Sequence, residues 1–304
     1  MTTTIDPIDP IDPIDSGDSA GIGLPIVPAA EPVRKGRGRA RGAKVGRSVL
    51  PPLVVGSLLI GIWYFISYAV LDPKRRFLLE PPHKVWRNGF ANAAARQEMF
   101  SALWLTTKVA LWGLTLAVTI GFVIAIIMSQ SKMLERGIYP YLVILQATPL
   151  LALVPLIGFW FGYGLGSRVL ITVLIAVFPI IANTLFGLVS ADQGMHDVLT
   201  LHNAGRITRL RKVQFPAALP AIFTGLRISA GLCVIGAIVG DFLFGQGKPG
   251  IGQLLKRYAS RLEGEKLLSA VGLSCAMGVS VFIAFGWLSS RVVGRWATST
   301  RTGK

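Results

Sequence analysis

Three ionisable side chains in this chain sit where charge is expensive. Lys108, Arg227 and Asp241 interrupt long stretches that are otherwise apolar, and a charge in such a stretch ordinarily faces a partner, water or a cavity. Arg227 follows Pro220 by about two helical turns, near enough to an interface for its guanidinium to reach it. Asp241 stands toward the other end of that stretch, just before the glycine-rich GQGKPGIG of residues 245–252. That run is not a phosphate loop: its Lys is followed by Pro, and the Gly-x4-Gly-Lys-Ser/Thr spacing is missing. No other segment carries an ATP-binding motif, so nucleotide energy, if used, comes from another polypeptide. Cys233 and Cys275 both fall in apolar runs, and His83, His196 and His202 are scattered. Neither a disulfide framework nor a metal site is indicated. A membrane enzyme would want titratable groups clustered at one depth, and none is visible. A gradient-driven carrier would want a carboxylate pair or inverted repeats near mid-membrane; Asp241 is alone and off-centre.

A second group of candidates surrounds prolines. Pro140, Pro149, Pro155 and Pro179 lie deep in apolar runs. There they leave carbonyls without partners, which hydrocarbon tolerates only if protein or a wet cavity receives them. Gln146, Thr148, Asn183 and Thr184 lie near these prolines. With Asp241, the first three are candidates for lining a translocation path; each, taken alone, is as well explained by a hydrogen bond between helices. The third candidate is a polar, basic loop, Ala191 to Phe215, which leaves through KVQFPAALP (212–220). It reads as a short helix, a break at Ala204-Gly205, and a second helix. In the second, Ile207, Leu210 and Val213 form an apolar stripe beside Arg206, Arg209 and Lys212, fit to lie on a protein or membrane surface. Pro216 and Pro220 are expected to stop that helix and restart the chain as a membrane span.

The elements that position these residues follow from hydropathy. Of the 304 residues 52% are hydrophobic and only 15% charged, against about a quarter charged in a water-soluble domain. Uncharged runs cover Ser48–Leu71, Val109–Ser131, Gly137–Ser167, Val169–Ala191 and Leu267–Ser290, each beyond the roughly 20 residues a spanning helix needs. With Ala218–Leu243 the count is six. The expected fold is all-α, a polytopic membrane protein of six transmembrane helices over residues 49–294. Residues 1–48 form a tail, opened by the repeat IDPIDPIDPID whose prolines and acidic charges oppose structure, and residues 295–304 form a second. The formal net charge of +16 invites a nucleic-acid reading, but its placement argues for the membrane. Seven Lys/Arg precede the first span, where cytoplasmic charge belongs. With both termini inside, 17 of the 31 Lys/Arg are cytoplasmic and 12 external. The partner implied is membrane lipid, not nucleic acid. Gly236-Ala-Ile-Val-Gly240 is a small-xxx-small pattern suited to close helix contact.

The segment DVLTLHNAGRITRLRKVQFPAALPAIFTGLRIS (197–229) resembles the cytoplasmic coupling loop of binding-protein-dependent ABC importer permeases. Counting back from Phe215-Pro216, that family's Glu-Ala-Ala falls on Asp197, Val198 and Leu199, and its glycine on Asn203. The Leu-Pro pair is Leu219-Pro220. Asp keeps the charge of Glu, and Asn keeps a residue that tolerates left-handed backbone. The resemblance extends over about residues 50–294, through ATPLLALVPLIGFWFGYGLGSR (147–168), FPIIANTLFGL (178–188) and GIGQLL (250–255). It is greatest to nitrate/sulfonate/taurine-type permeases, leaning towards importers of riboflavin or thiamine-precursor pyrimidines. It implies a type I permease fold in a bacterial cell membrane, with no catalytic residue and no cofactor of its own. Asp197, Asn203, Ala204, Gly205, Arg206, Pro216 and Pro220 would form the coupling loop. The implied partners are a cytoplasmic ATPase subunit holding ATP-Mg, a second permease subunit, identical or not, and an extracellular or periplasmic binding protein.

Overall fold

The computed structural model describes residues 41–297, and in it the apolar runs are helices. The Ile-Asp-Pro repeat and residues 298–304, expected as tails, lie outside the described residues. The chain divides into two units, one ending at Leu53 and one beginning at Val54; the helical bundle belongs to the second. Helix α1 (Arg41–Phe65) begins inside the segment expected as tail, so Pro51 and Pro52 lie within it rather than at its start. No residue from Arg41 to Leu50 lacks a backbone N–H, so the basic segment can join the helix.

A π-helical turn, Ile66–Val70, ends the first span, and the following loop folds back on it. The Trp63 indole N–H donates to the Glu80 carbonyl at 3.1 Å, the Tyr64 ring stacks on His83, and the Arg76 guanidinium lies 4.8 Å from the Tyr68 ring centre. Lys84 reaches the Glu80 carboxylate at 3.1 Å. After the single turn α2 (Pro82–Val85) comes α3 (Ala93–Ser129). The Asn92 side chain caps α3 by accepting from the N–H groups of Ala94 and Ala95. At 37 residues α3 is about 55 Å long. The uncharged run marks only its inner part, because the turn carrying Arg96 and Glu98 continues the same helix past the apolar zone.

The third expected span is two helices. α4 (Lys132–Ala147) and α5 (Leu150–Phe161) meet at 95° across Thr148-Pro149. Proline disfavours helical backbone in the residue before it, and Thr148 is extended, with ψ 127°. Then follow α6 (Leu165–Val189), α7 (Gln193–Leu201), α8 (Arg206–Arg209), α9 (Phe215–Leu243), α10 (Ile251–Ser260) and α11 (Gly264–Ala297). Among the described residues five helical spans are long and apolar enough to cross a membrane, and α4–α5 makes a sixth if the bent pair is one span. None of these residues is in a strand. The expected stop at Pro216 and Pro220 does not occur: helix continues from Arg206 to Leu243. A π-helical turn, Leu210–Gln214, lies directly ahead of Phe215 and Pro216 and takes up the misfit of a proline inside a continuous helix.

The core lies where α3, α6 and α9 meet, and small residues let them meet. On α9 a Cβ at Gly236 would fall 2.9 Å from Thr172 Cα, and one at Gly240 3.1 Å from Arg168 Cα. Gly225 lies against Asn183, and Gly187 of α6 against Ala218. These pairs run antiparallel along nearly the whole of α6. Ser229, fully buried between them, donates to the Ala176 carbonyl at 2.8 Å. The small-xxx-small pattern is therefore part of a longer stripe on α9. Leu114, Ala117, Ala125, Val177, Ile180, Ile181 and Cys233 fill the space between these helices.

Candidate functional site

The polar loop is short and tightly turned. Asp192 caps α7 through its carboxylate, accepting from the Gly194 N–H at 2.9 Å. Asn203 ends that helix with φ 49°, the left-handed backbone in which Asn or Gly is least strained. The Ala204 N–H returns to the Leu199 carbonyl at 2.9 Å, and the Arg209 side chain donates to the Ala204 carbonyl at 3.1 Å. The break expected at Ala204-Gly205 is thus a closed turn, half-buried at Ala204. Asp197, Asn203, Gly205 and Arg206 are exposed around it, Pro216 is half-buried and Pro220 exposed.

What the loop leaves uncovered is apolar. Met195, Val198, Leu201 and Ile207 are 54–82% exposed. The first three recur at every third position of α7, which puts them along one side of the helix. Val198 replaces a small residue of the resembled pattern and enlarges this face. The stripe expected on the second helix is divided: Val213 is buried and Leu210 packs on Leu188 and Ile222, whereas Ile207 stays outside. Because α8 continues into α9, the loop is joined rigidly to the core at one end. At the other it follows α6 directly.

At the opposite end of α9, Asp241 is wholly buried, and its partner is Arg168, 1% exposed at the start of α6. Arg168 Nη1 lies 3.0 Å from Asp241 Oδ1. The guanidinium also donates to the carbonyls of Gln246 (2.7 Å) and Lys248 (3.2 Å). The other carboxylate oxygen takes the Thr106 hydroxyl of α3, and the Gly252 N–H donates to the same carboxylate. The Ile251 N–H donates to Thr106 Oγ1 at 2.9 Å. Arg168, between two uncharged runs, is one of the 12 Lys/Arg counted as external, and in the structure it belongs to the interior. A lone carboxylate at a span end demands a cation at its own depth, and Arg168 opens the neighbouring span. That signal was available in the sequence. Thr106 carried none.

The four candidate path residues do not converge. Gln146 is exposed and Thr148 half-buried at the α4–α5 elbow, the Thr148 hydroxyl donating to the Ile144 carbonyl at 2.7 Å. Asn183 returns its amide to the Pro179 carbonyl at 2.8 Å, one turn back in its own helix, so it does not serve the Ile175 carbonyl that Pro179 leaves without an N–H donor. It packs on Gly225, and Asp241 is 16 residues farther along α9, roughly 24 Å away. Arg227 stacks over Phe282 of α11 at 3.9 Å, and Lys108 lies over the Trp104 ring at 5.3 Å. Among the described residues no cluster of His, Cys, Asp and Glu is placed to hold a metal.

Comparison with known proteins gives this architecture a family. Residues 117–294 match the family described as binding-protein-dependent transport system inner membrane component. A probable ABC transporter permease protein of Haemophilus influenzae is 31% identical over 252 residues, 81% of this chain and 97% of that one. A formylaminopyrimidine transport permease protein of Halalkalibacterium halodurans is 29% identical, across 77% of this chain and 91% of its own. In fold, the chain is similar to a crystal structure of an amino acid ABC transporter with histidines. The TM-score is 0.53 at 18% identity, over 68% of this chain and 98% of that one. With its apolar helices and its matched segment, this chain belongs to the binding-protein-dependent transport family and is a multi-pass permease subunit of an ABC importer.

Proposed function

We propose that the chain couples ATP hydrolysis in a separate cytoplasmic subunit to alternating access for a small organic solute. The observation that carries this is the uncovered apolar side of α7, Met195, Val198 and Leu201, on an otherwise polar loop. A groove on an ATPase subunit is a fitting occupant, with the Asp197–Arg206 segment as the lever. Closure of two such subunits on ATP would drive two levers together and open a path between paired permeases, a bistable element biased from both faces. ATP-Mg belongs to the partner. The termini and α7 face the cytoplasm, and the α10 end faces a binding protein that delivers solute. The H. halodurans relative favours a pyrimidine thiamine precursor, with riboflavin or a sulfonate- or nitrate-like anion as alternatives.

Ala204 is half-buried in the turn, so a carboxylate there both distorts it and charges the apolar face. Ala204→Asp is expected to leave the protein in the membrane and paired with its ATPase, yet to cut ATP-dependent uptake of labelled pyrimidine or riboflavin at least about tenfold. Wild-type uptake in that variant would remove the loop from the mechanism.

A further inference from the structure

Arg168 and Asp241 are 73 residues apart in sequence, and the bonds around them reach four elements. Asp241 is on α9 and Arg168 on α6. Thr106 brings in α3. The Gly252 and Ile251 N–H groups bring in the first turn of α10. The loop between α9 and α10 wraps the pair, giving the carbonyls of Gln246 and Lys248 to the guanidinium. Gly250 and Gly252 allow this wrapping, since a Cβ at either would overlap Asp241 or the backbone of α9. Farther along α10 a second fastening joins it to α3: Glu98 receives Arg257 at 2.7 Å and the Tyr258 hydroxyl at 2.8 Å. Burial, with Glu98 as acceptor, pushes the Tyr258 phenol up from its ordinary pKa, so it stays a donor.

The α4–α5 elbow is held differently. Among the described residues no side-chain hydrogen bond or ion pair joins residues 132–161 to another helix. The elbow rests on α3 and α6 through apolar contacts such as Leu142 and Ile138. Separating a buried ion pair strands two charges. Sliding one apolar surface over another strands none.

We propose that Arg168 and Asp241 are positioning residues of the transport cycle. They hold the adjoining ends of α3, α6, α9 and α10 as one block in every state, so the α4–α5 elbow is what moves to open the path. This rests on the ATP-driven function proposed above. The two charges are not interchangeable, because each has its own further partners: Arg168 faces two carbonyl oxygens and Asp241 faces two donors. Exchanging them sets a carboxylate against the Gln246 and Lys248 carbonyl oxygens and a guanidinium against the N–H groups of the α10 N-terminus.

The test uses the assembled complex of permease, ATPase and binding protein in lipid nanodiscs, with Cys233→Ala and Cys275→Ala as background and ATP hydrolysis as readout. A reducible bifunctional thiol reagent links either Glu98→Cys to Arg257→Cys, within the block, or Tyr139→Cys to Ala182→Cys, which line one cavity between α4 and α6. The first link is expected to change hydrolysis by less than about twofold and the second to lower it at least about tenfold, with recovery on reduction. A reductant-reversible arrest by the first link, or no effect of the second, overturns the proposal. The exchange variant Arg168→Asp/Asp241→Arg should stay below about a tenth of wild-type hydrolysis, and its recovery to half or more also overturns it. Failure of the ATP-driven function shows separately, as hydrolysis by the unlinked complex no faster than by the ATPase alone.

Discussion

Removing one member of a buried ion pair strands the other, at about 3–5 kcal/mol. Asp241→Ala leaves the Arg168 guanidinium facing the Thr106 hydroxyl and the α10 N-terminus with no carboxylate between them. Arg168→Met leaves the carboxylate and two loop carbonyls without their donor. Each single variant should lower the apparent melting temperature of the detergent-solubilised protein by several degrees. The double variant should lose clearly less than the two losses added, since residues sharing a network are not additive. Additive losses would mean that the two side chains act independently. The surface cations are a different case. Arg227 over Phe282 and Lys108 over Trp104 gain about 0.5–2 kcal/mol from the ring face, and neither needs a carboxylate to remain in an apolar stretch.

The α6–α9 pair is held by backbone proximity. Without a strong hydrophobic force between helices in lipid, association depends on close packing and interhelical hydrogen bonds, and both are present at Gly236, Gly240 and Ser229. Gly236→Ile drives a branched side chain into the Thr172 backbone. It should cost about 1–3 kcal/mol, as overpacking does, and lower the melting temperature accordingly. Gly272 of α11 has nothing within 4 Å of its ideal Cβ, so Gly272→Ala serves as the matched control and should be neutral. Equal losses in the two would remove the close-contact account. The elbow behaves otherwise, since its 95° bend lies at Thr148-Pro149, where proline chemistry rather than packing breaks the helix.

Across the whole molecule, the two ends are chemically unlike. The α7 end offers apolar side chains on a polar loop, while the α10 end is closed by the ion-pair loop and carries exposed Lys256 and Arg261. If α7 faces the cytoplasm, then in a background lacking Cys233 and Cys275 a cysteine at Met195 should react with a membrane-impermeant maleimide only after the cells are opened. A cysteine at Ser260 should react in intact spheroplasts. The reverse pattern would invert the orientation and end the ATPase-coupling account. The basic segment before the first span argues for the first pattern, and the six Lys/Arg of residues 72–102, on the outer side in that pattern, oppose it. Arg76 and Lys84 are held by Tyr68 and Glu80.

The chain by itself determined its membrane class, the place of its spans, the polar loop with its break at Ala204-Gly205, and the lack of an ATP-binding motif. These are properties of contiguous residues, and hydropathy, spacing and turn chemistry act locally. Tertiary structure decided the rest. It paired Asp241 with Arg168, brought Thr106 and the α10 N-terminus to the same carboxylate, bent the third span, and carried helix through Pro216 and Pro220. It also separated Asn183 from Asp241. Whether a proline breaks a helix depends on whether a neighbouring π-turn absorbs the misfit, and whether a charge can be buried depends on a partner far along the sequence. Only three-dimensional proximity can supply that partner.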